Sequence, residues 1–387
     1  CGGRAVRALV AMSGGVDSSV AAALMQAEGH DVVGVTLKQW AGAGGEMPVA
    51  GCCTVGDAED ARRVAAQLDI PYYVLDYVDE FRRNVVDRFG AAYMEGRTPN
   101  PCIECNRTVR FHALLERTAA LGCDVLVTGH HARIRHDGAG YHLLTAADPG
   151  KDQSYVLHML GQDELARIRL PVGELTKADV RTIARDLGLR TAGKPDSQDL
   201  CFVGAGSYRD FLRREFPETA RPGPVVDTDG AEIGRHEGTV NFTIGQRKGL
   251  GVAMGDPRFV VDIRPATATV VIGRKADLEV GGCGLTDVSF VAGTPPSDEE
   301  LAAKVRYRGS PVPAALERHG EEWRLRFSAP VLGVAPGQAA VMYRGDEVIG
   351  GGTIARTWYQ PRGGEPIPFD ISEMAIPAEG CDGTDYG

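Results

Sequence analysis

The segment Ser13–Gly14–Gly15–Val16–Asp17–Ser18–Ser19 has the residue types of an anion cradle. Its two glycines let backbone N–H groups approach an anion closely, and the helix expected to open at Asp17 adds partial positive charge. The serines supply hydroxyl donors. This is not a Walker A loop, because GxxxxGK[ST] is absent and no lysine follows the glycines, nor is it the dinucleotide fingerprint GxGxxG. Asp17 would repel bare phosphate, so its expected work is through Mg²⁺, which favours carboxylate and phosphate oxygens. The bland alternative is a glycine-rich turn with a Ser/Asp helix cap; the position directly after the first strand disfavours it.

Cysteines form the second chemical group. Thr98–Pro–Asn–Pro–Cys102–Ile–Glu–Cys105–Asn106 joins two helices, and Cys105 is expected at a helix start, where the dipole would lower its pKa. Asp196–Ser–Gln–Asp–Leu–Cys201–Phe202 lies in a Gly/Pro-flanked stretch at a presumed domain edge. A single cysteine is most often a small buried hydrophobe, and Cys52, Cys53 and Cys123 are read that way. Pro101–Cys102–x–x–Cys105 matches half of the zinc deaminase pattern, but the H-x-E half is missing. A structural zinc would need a fourth ligand, and no second CxxC exists.

The elements that must position these groups follow from periodicity. Arg7–Ala11, Val32–Leu37, Tyr72–Leu75 and Asp124–Thr128 read as strands. Between them, Asp17–Glu28, Asp57–Leu68, Asp79–Met94 and Thr108–Ala120 read as helices. This alternation implies an α/β domain with a parallel sheet covered on both faces. After Tyr208–Glu215, read as a helix, Gly and Pro become frequent. Thr239–Ile244, Phe259–Ile263, Thr269–Ile272, Ala302–Tyr307, Trp323–Phe327, Ala339–Tyr343 and Val348–Ala355 then read as short strands of a small antiparallel barrel or sandwich. The expected units are 1–205, 206–280, 281–360 and an acidic, disordered tail at 361–387.

The chain has 387 residues, enough for two or three domains, and its net charge of −10 argues against indiscriminate coating of nucleic acid. A local basic face would still suffice for an RNA partner. No apolar run is long enough for a transmembrane helix and no signal-peptide pattern opens the sequence, so a cytoplasmic location without membrane partners is expected. The nine cysteines, an odd number, suggest metal or catalytic thiols rather than a disulfide framework.

SGGVDSS resembles the PP-loop of the N-type ATP pyrophosphatases, which split ATP to AMP and pyrophosphate while activating a carbonyl oxygen. With TPNPCIECN, VTGHHAR, KDQSY, DSQDLCF and TIGQRKGLG following in order, the chain is similar to the bacterial tRNA-specific 2-thiouridylase family over roughly residues 5–357. The resemblance implies a PP-loop catalytic domain, a small central domain and a C-terminal antiparallel β-barrel, the last two helping to grip the tRNA. It implies ATP-dependent replacement of the C2 oxygen of the wobble uridine by sulfur, with tRNA bound through its anticodon loop. A cysteine desulfurase or a sulfur-relay protein would feed the sulfur.

Residue by residue, the resemblance places ATP at Ala11, Met12, Ser13, Gly14, Gly15, Val16, Asp17 and Ser18, with Leu37 and Gly129 as further nucleotide contacts. Asn100, Pro101 and Cys102 match the segment that meets the target base. Cys105 matches the nucleophile and Cys201 the persulfide carrier, the two forming a disulfide that must be reduced. Lys151, Asp152, Gln153, Arg306 and Tyr307 match tRNA-contacting positions. Many relatives carry Asp where this chain has Cys102. The departure leaves three thiols, Cys102, Cys105 and Cys201, a set able to hold a [4Fe–4S] cluster with one open iron.

From the residues alone, His130 and His131 follow a strand and are expected near the nucleotide or as capping groups. Gln246–Arg247–Lys248 and Arg306–Tyr307–Arg308 carry the charge and aromatic character that suit RNA phosphates and bases. The rival readings are another adenylating PP-loop synthetase, which leaves the cysteines unexplained, and a non-catalytic RNA-binding protein with a structural metal.

Overall fold

A computed structural model describes residues 5–41, 54–196, 200–203, 207–252, 255–297, 301–359 and 367–368. Cys1, Cys52, Cys53, Cys381, Ser197–Asp199 and nearly all of the acidic tail lie outside the described residues. No helix among those described is long and apolar enough to cross a membrane.

The sequence Ala8–Leu9–Val10 is apolar on both sides of the strand β1 (Arg7–Ala11), and all three residues are fully buried. Such a strand needs cover on both faces. β2 (Asp31–Lys38), β3 (Tyr72–Asp76) and β4 (Val125–Thr128) follow, then the hairpin β5 (Arg133–Asp137) and β6 (Gly140–Leu144), then β7 (Ile168–Arg169). The parallel sheet runs in the order β3-β2-β1-β4-β7. Ala8 and Val10 face a cluster with Val20, Val64 and Val180, from α1 (Val16–Ala27), α2 (Val55–Gln67) and the helix Lys177–Asp186. Leu9 faces the opposite cluster with Phe81, Phe89 and Phe111, from the helices spanning 78–94 and 101–120.

Both of the latter helices contain a widened turn of π type, Arg82–Val86 and Cys105–Ala113. This corrects the expected position of Cys105. Asn100 caps the helix through Oδ1, which accepts from the Cys102 amide at 3.1 Å, and Pro101 occupies its first turn. Cys105 is therefore inside a continuous helix rather than at its positive end. α2 begins two residues earlier than expected, since Thr54 caps it and Asp57 completes the capping box.

The central unit is a four-stranded sheet of β8 (Gly223–Val226), β9 (Glu232–His236), β10 (Phe259–Arg264) and β11 (Thr269–Gly273), ordered β10-β11-β8-β9. Thr239–Ile244 is not a strand. Asn241 and Phe242 donate back to the carbonyls of Gly238 and Thr239, which closes a short 3₁₀ turn and buries Phe242.

The C-terminal strands are β12 (Glu279–Phe290), β13 (Leu301–Lys304), β14 (Val312–His319), β15 (Glu322–Leu332), β16 (Ala339–Arg344) and β17 (Glu347–Tyr359). They pair in the order β12-β15-β14-β13-β16-β17, and β17 returns to β12, so the antiparallel barrel closes. β13 stops at Lys304, which leaves Arg306–Tyr307–Arg308 on the turn beyond it and not on a strand as expected.

The β5–β6 hairpin belongs by sequence to the first domain, yet β6 pairs with β17 and extends the barrel sheet. His142 on β6 sits 2.6 Å (Nδ1) from Glu347 and 3.1 Å (Nε2) from Asp137. The hydrogen bond to Glu347, then that to Asp137, hold its pKa above the usual histidine value. A raised folded pKa means that this contact is fully present below about pH 6.5 and is lost as pH rises through the elevated value. The melting-temperature difference between wild type and His142→Gln is therefore expected to be largest near pH 6 and to close toward pH 9. A pH-independent difference would remove the charge from the account.

Candidate active site

The glycine-rich loop lies at the carboxyl end of β1, where ligands bind in parallel sheets. Gly14 has φ +72, and a Cβ there would run into the backbone carbonyl of Asp57. The Ser13 amide donates to Ser18 Oγ at 3.1 Å, and Ser19 Oγ donates to Gly15 O at 2.8 Å. The serines thus shape the loop as well as offering donors. Gly129, just past β4, packs so closely on α1 that a Cβ would stand 2.5 Å from the Ser18 nitrogen.

Charges from four distant parts of the sequence meet at this loop. Lys177 Nζ lies 2.7 Å from both carboxylate oxygens of Asp17 and 2.8 Å from Asp196 Oδ1. His131 Nε2 is 3.0 Å from Asp17 Oδ1. Burial would raise the Asp17 carboxyl, but hydrogen bonds from His131 and Lys177 outweigh it and hold the pKa below the ordinary value. Asp196 also takes Lys151 Nζ at 2.8 Å and Arg181 at 3.1 Å. Its burial penalty is likewise overcome, with the pKa down to about 2. Lys194 Nζ bonds Gly14 O at 3.0 Å, Asp57 at 2.7 Å and Asp60 at 2.8 Å, which ties the loop to α2.

These groups open onto a cavity of about 660 Å³, within the usual range for small-molecule sites. Ala11, Met12, Ser13, Gly15, Val16, Asp17 and Ser18 line it, as do Leu37 and Gly129, so the structure brings these positions together, while Gly14 packs against the Asp57 backbone and is not on the wall. Lys151, Asp152 and Gln153 are on the wall, and so is Tyr307 from the barrel. Asp152 is turned to internal work, accepting from the amides of Ala146 and Ser154 at 3.1 Å each. Gln153 Oε1 accepts from the His131 amide at 2.8 Å.

Cys105 stands one layer behind the wall, 6% exposed. Gln39 and Arg110, both on the wall, separate it from the cavity. Gln39 Nε2 donates to Cys105 Sγ at 3.3 Å. Burial pushes the thiol pKa up, against Arg110 and Gln39, which pull it down. The expected lowering is therefore reversed, because desolvation outweighs the charge beside it. His130 Nδ1 is 2.8 Å from Thr128 Oγ1, and burial drives its pKa to about 3, so the imidazole is neutral. Cys102 is exposed at the helix entrance.

Cys201 is half-buried against the aromatic cluster that also holds Cys105. Its neighbour Phe202 packs on Phe89 with ring centroids 5.2 Å apart and on Trp40 at 6.5 Å, and Trp40 follows Gln39. Among the described residues, no three His, Cys, Asp or Glu side chains gather closely enough to hold a metal ion. Cys102, Cys105 and Cys201 do not converge as a cluster site would require.

Lys177, Lys194 and Arg181 at the loop, Gln39 and Arg110 beside Cys105, and Lys304, on the cavity wall beside Asp152, were missed by reading the sequence. None belongs to a short motif with the group it stands beside. A usable signal existed for Lys177: it follows Thr176 in a T-x-x-D capping box, which puts a lysine in the first turn of a helix.

Family models match in order along residues 6–354: the tRNA methyl transferase HUP domain at residues 6–205, the tRNA methyl transferase PRC-barrel domain at 209–274 and the aminomethyltransferase beta-barrel domain at 280–354. The tRNA-specific 2-thiouridylase MnmA of Roseiflexus castenholzii is 48% identical over 366 residues, covering 90% of this chain and 99% of that protein. Its namesake from Chloroflexus aurantiacus is 48% identical over 351 residues, covering 90% and 98%. The U34-tRNA thiolase NcsA from Methanococcus maripaludis superposes at a TM-score of 0.33 with 19% identity, over 56% of this chain and 67% of that one. With domain order, loop, cysteines and full-length similarity in agreement, the chain belongs to the tRNA-specific 2-thiouridylase family.

Proposed function

We propose that this chain uses ATP to activate the C2 oxygen of the wobble uridine of a tRNA and then replaces that oxygen with sulfur carried by Cys201. The observation that carries this reading is the single cavity bordered by the glycine-rich loop, by the neighbours of Cys105 and by Tyr307 of the barrel. A target base must leave its stack to enter such a cavity. Tyr307, 38% exposed at the wall, offers a ring for it to stack on. Asn100 and Pro101 fix the helix entrance where Cys102 faces solvent.

The uracil O2 attacks the α-phosphorus of ATP. The bond to the β-phosphate breaks and pyrophosphate leaves, its charge met by loop amides, Lys177 and Lys151. Magnesium would arrive with the nucleotide, held chiefly by phosphate oxygens. Asp17, already engaged by Lys177 and His131, is not presented as an open ligand. The terminal sulfur of a Cys201 persulfide attacks C2, and AMP departs with the oxygen. The Cys105 thiolate attacks Cys201 Sγ, which breaks the sulfur–sulfur bond, leaves the sulfur on C2 and forms a Cys105–Cys201 disulfide. An external dithiol reduces it. No step is assigned to an iron–sulfur cluster, since the three cysteines do not assemble one. A cysteine desulfurase or relay protein supplies the sulfur, and the reaction is placed in the cytoplasm.

The test is mass spectrometry of tRNA nucleosides alongside pyrophosphate release from unmodified tRNA. In Cys201→Ala and Cys105→Ser, thiolation is expected to fall on the order of 1000-fold or more, while tRNA-dependent pyrophosphate release stays within a few-fold. Thiolation that survives Cys201→Ala would overturn the sulfur-carrier assignment. Pyrophosphate release indifferent to tRNA would favour a small-molecule synthetase.

A further inference from the structure

Lys304 is the last residue of β13, and it brings a cation from the barrel to the wall of the cavity. Its side chain is 14% exposed. Nζ lies 5.9 Å from the ring centroid of Tyr155 and 5.7 Å from that of Tyr343. Asp152 Oδ2 is 3.8 Å away, beyond hydrogen-bond range. The Asp152 oxygens are spent on other donors: Oδ1 accepts from the amides of Ala146 and Ser154, and Oδ2 from the Ser154 hydroxyl at 3.0 Å. Among the described residues, the Lys304 ammonium makes no hydrogen bond. A largely buried ammonium with unspent donors is costly until a ligand supplies an acceptor. Tyr307, on the turn after β13, shares the same surroundings. Its hydroxyl donates to Asp152 O at 3.3 Å, and its ring meets Tyr155 edge-on with centroids 5.9 Å apart. The ring and the ammonium thus stand beside the same two residues, and both line the cavity.

We propose that Lys304 is a specificity-determining residue, whose ammonium donates to O4 of the uracil stacked on Tyr307, so that the barrel itself selects uridine over cytidine. In uracil, O2 and O4 lie on opposite sides of N3. With O2 turned to the glycine-rich loop, O4 points away from it, on the side that the barrel supplies. O4 is an acceptor, whereas cytosine carries an amino donor at that position. An ammonium has donors only, so it matches the first and opposes the second. The proposal rests on the proposed function in requiring that the target base enter this cavity.

The test is a cycle of protein and substrate changes on the full-length chain, read as kcat/KM for tRNA-dependent pyrophosphate release. The substrates are tRNAs with uridine, 4-thiouridine or cytidine at the wobble position. 4-Thiouridine keeps the N3 proton and replaces O4 with sulfur, a weak acceptor. Wild type is expected to prefer uridine over 4-thiouridine by about 10- to 100-fold, the worth of a hydrogen bond to a charged group, and to reject cytidine more strongly. In Lys304→Met the uridine rate should fall while the preference over 4-thiouridine shrinks to within about twofold; the cycle cancels the different intrinsic reactivity of the two bases. Lys304→Arg, which keeps charge and donors, should retain most of the preference. ATP binding without tRNA should stay within about twofold in Lys304→Met. If wild type treats uridine and 4-thiouridine alike, the proposal falls whether or not the variants fold. It also falls if Lys304→Met lowers both rates and leaves their ratio unchanged, which is the mark of a merely structural lysine. A tenfold or greater loss of ATP binding in Lys304→Met would assign the ammonium to a phosphate and overturn the proposal too. In each of these cases the proposed reaction stands; it falls only if wild type does not act on the uridine tRNA.

Discussion

Lys177→Met is expected to lower tRNA-dependent pyrophosphate release by about 100- to 1000-fold, the loss that follows removal of one well-aimed donor to developing charge, about 2.7–4 kcal/mol. Methionine keeps most of the length and apolar stem of the lysine but brings no charge. Lys177 has a side chain only 11% exposed, and its ammonium touches both oxygens of Asp17 and one of Asp196. Two carboxylates would then face each other across the loop without the cation between them. Breaking a buried pair costs roughly 3–5 kcal/mol of stability, and the low end applies because Asp17 stays partly open to water. Arginine at 177 should recover part of the activity, since it restores the charge with a bulkier head. Steady-state pyrophosphate release and a thermal melt on the same preparations check both halves. A loss of less than about tenfold would show that loop amides alone carry the leaving group.

Gly14→Ala is expected to weaken ATP binding by about 100-fold or more and to destabilise the fold by roughly 1–3 kcal/mol. Two independent facts converge on this position. Its φ of +72 is strained for any residue with a side chain, and the added methyl would meet backbone atoms of Asp57, which cannot swing away as a side chain could. Relief requires the loop and α2 to separate. That movement would pull Gly14 O away from Lys194 and so loosen the Lys194 bridge to Asp57 and Asp60. Equilibrium binding of ATP and denaturant unfolding are the measurements. Near wild-type affinity would mean that the cradle tolerates a rebuilt loop. Gly15 is a useful control, because a Cβ there meets nothing closer than Ser13 Oγ at 3.4 Å.

What could be read from the sequence was what is local. Buried strands such as Ala8–Leu9–Val10 and the glycine turn after them are set by neighbours in the chain, and they lie where periodicity puts them. Of the barrel strands, β13, β15, β16 and β17 were legible for the same reason, while β12 and β14 were not. Most of the loop, Leu37 and Gly129 line one cavity. Long-range chemistry was not legible. Lys177 is 160 residues from Asp17, and Gln39 is 66 from Cys105. No local pattern marks either pairing. The pKa of Cys105 was misjudged because a CxxC suggests a helix start, whereas Asn100 and Pro101 begin the helix earlier and sink Cys105 beneath Gln39. Thr239–Ile244 alternates like a strand, but the amides of Asn241 and Phe242 bond back to the carbonyls of Gly238 and Thr239 and close a turn instead.

The hairpin β5–β6 has a wider consequence. It leaves the parallel-sheet half to complete the barrel's sheet, while Ala339, Val341, Tyr343 and Val348 of the barrel enter the same apolar cluster as Leu9 and Phe111. Neither half is a detachable cassette. Cutting the chain between them would strip oily cover from one piece and bare a ladder of unsatisfied amides on the other, the kind of raw margin that recruits a neighbouring molecule.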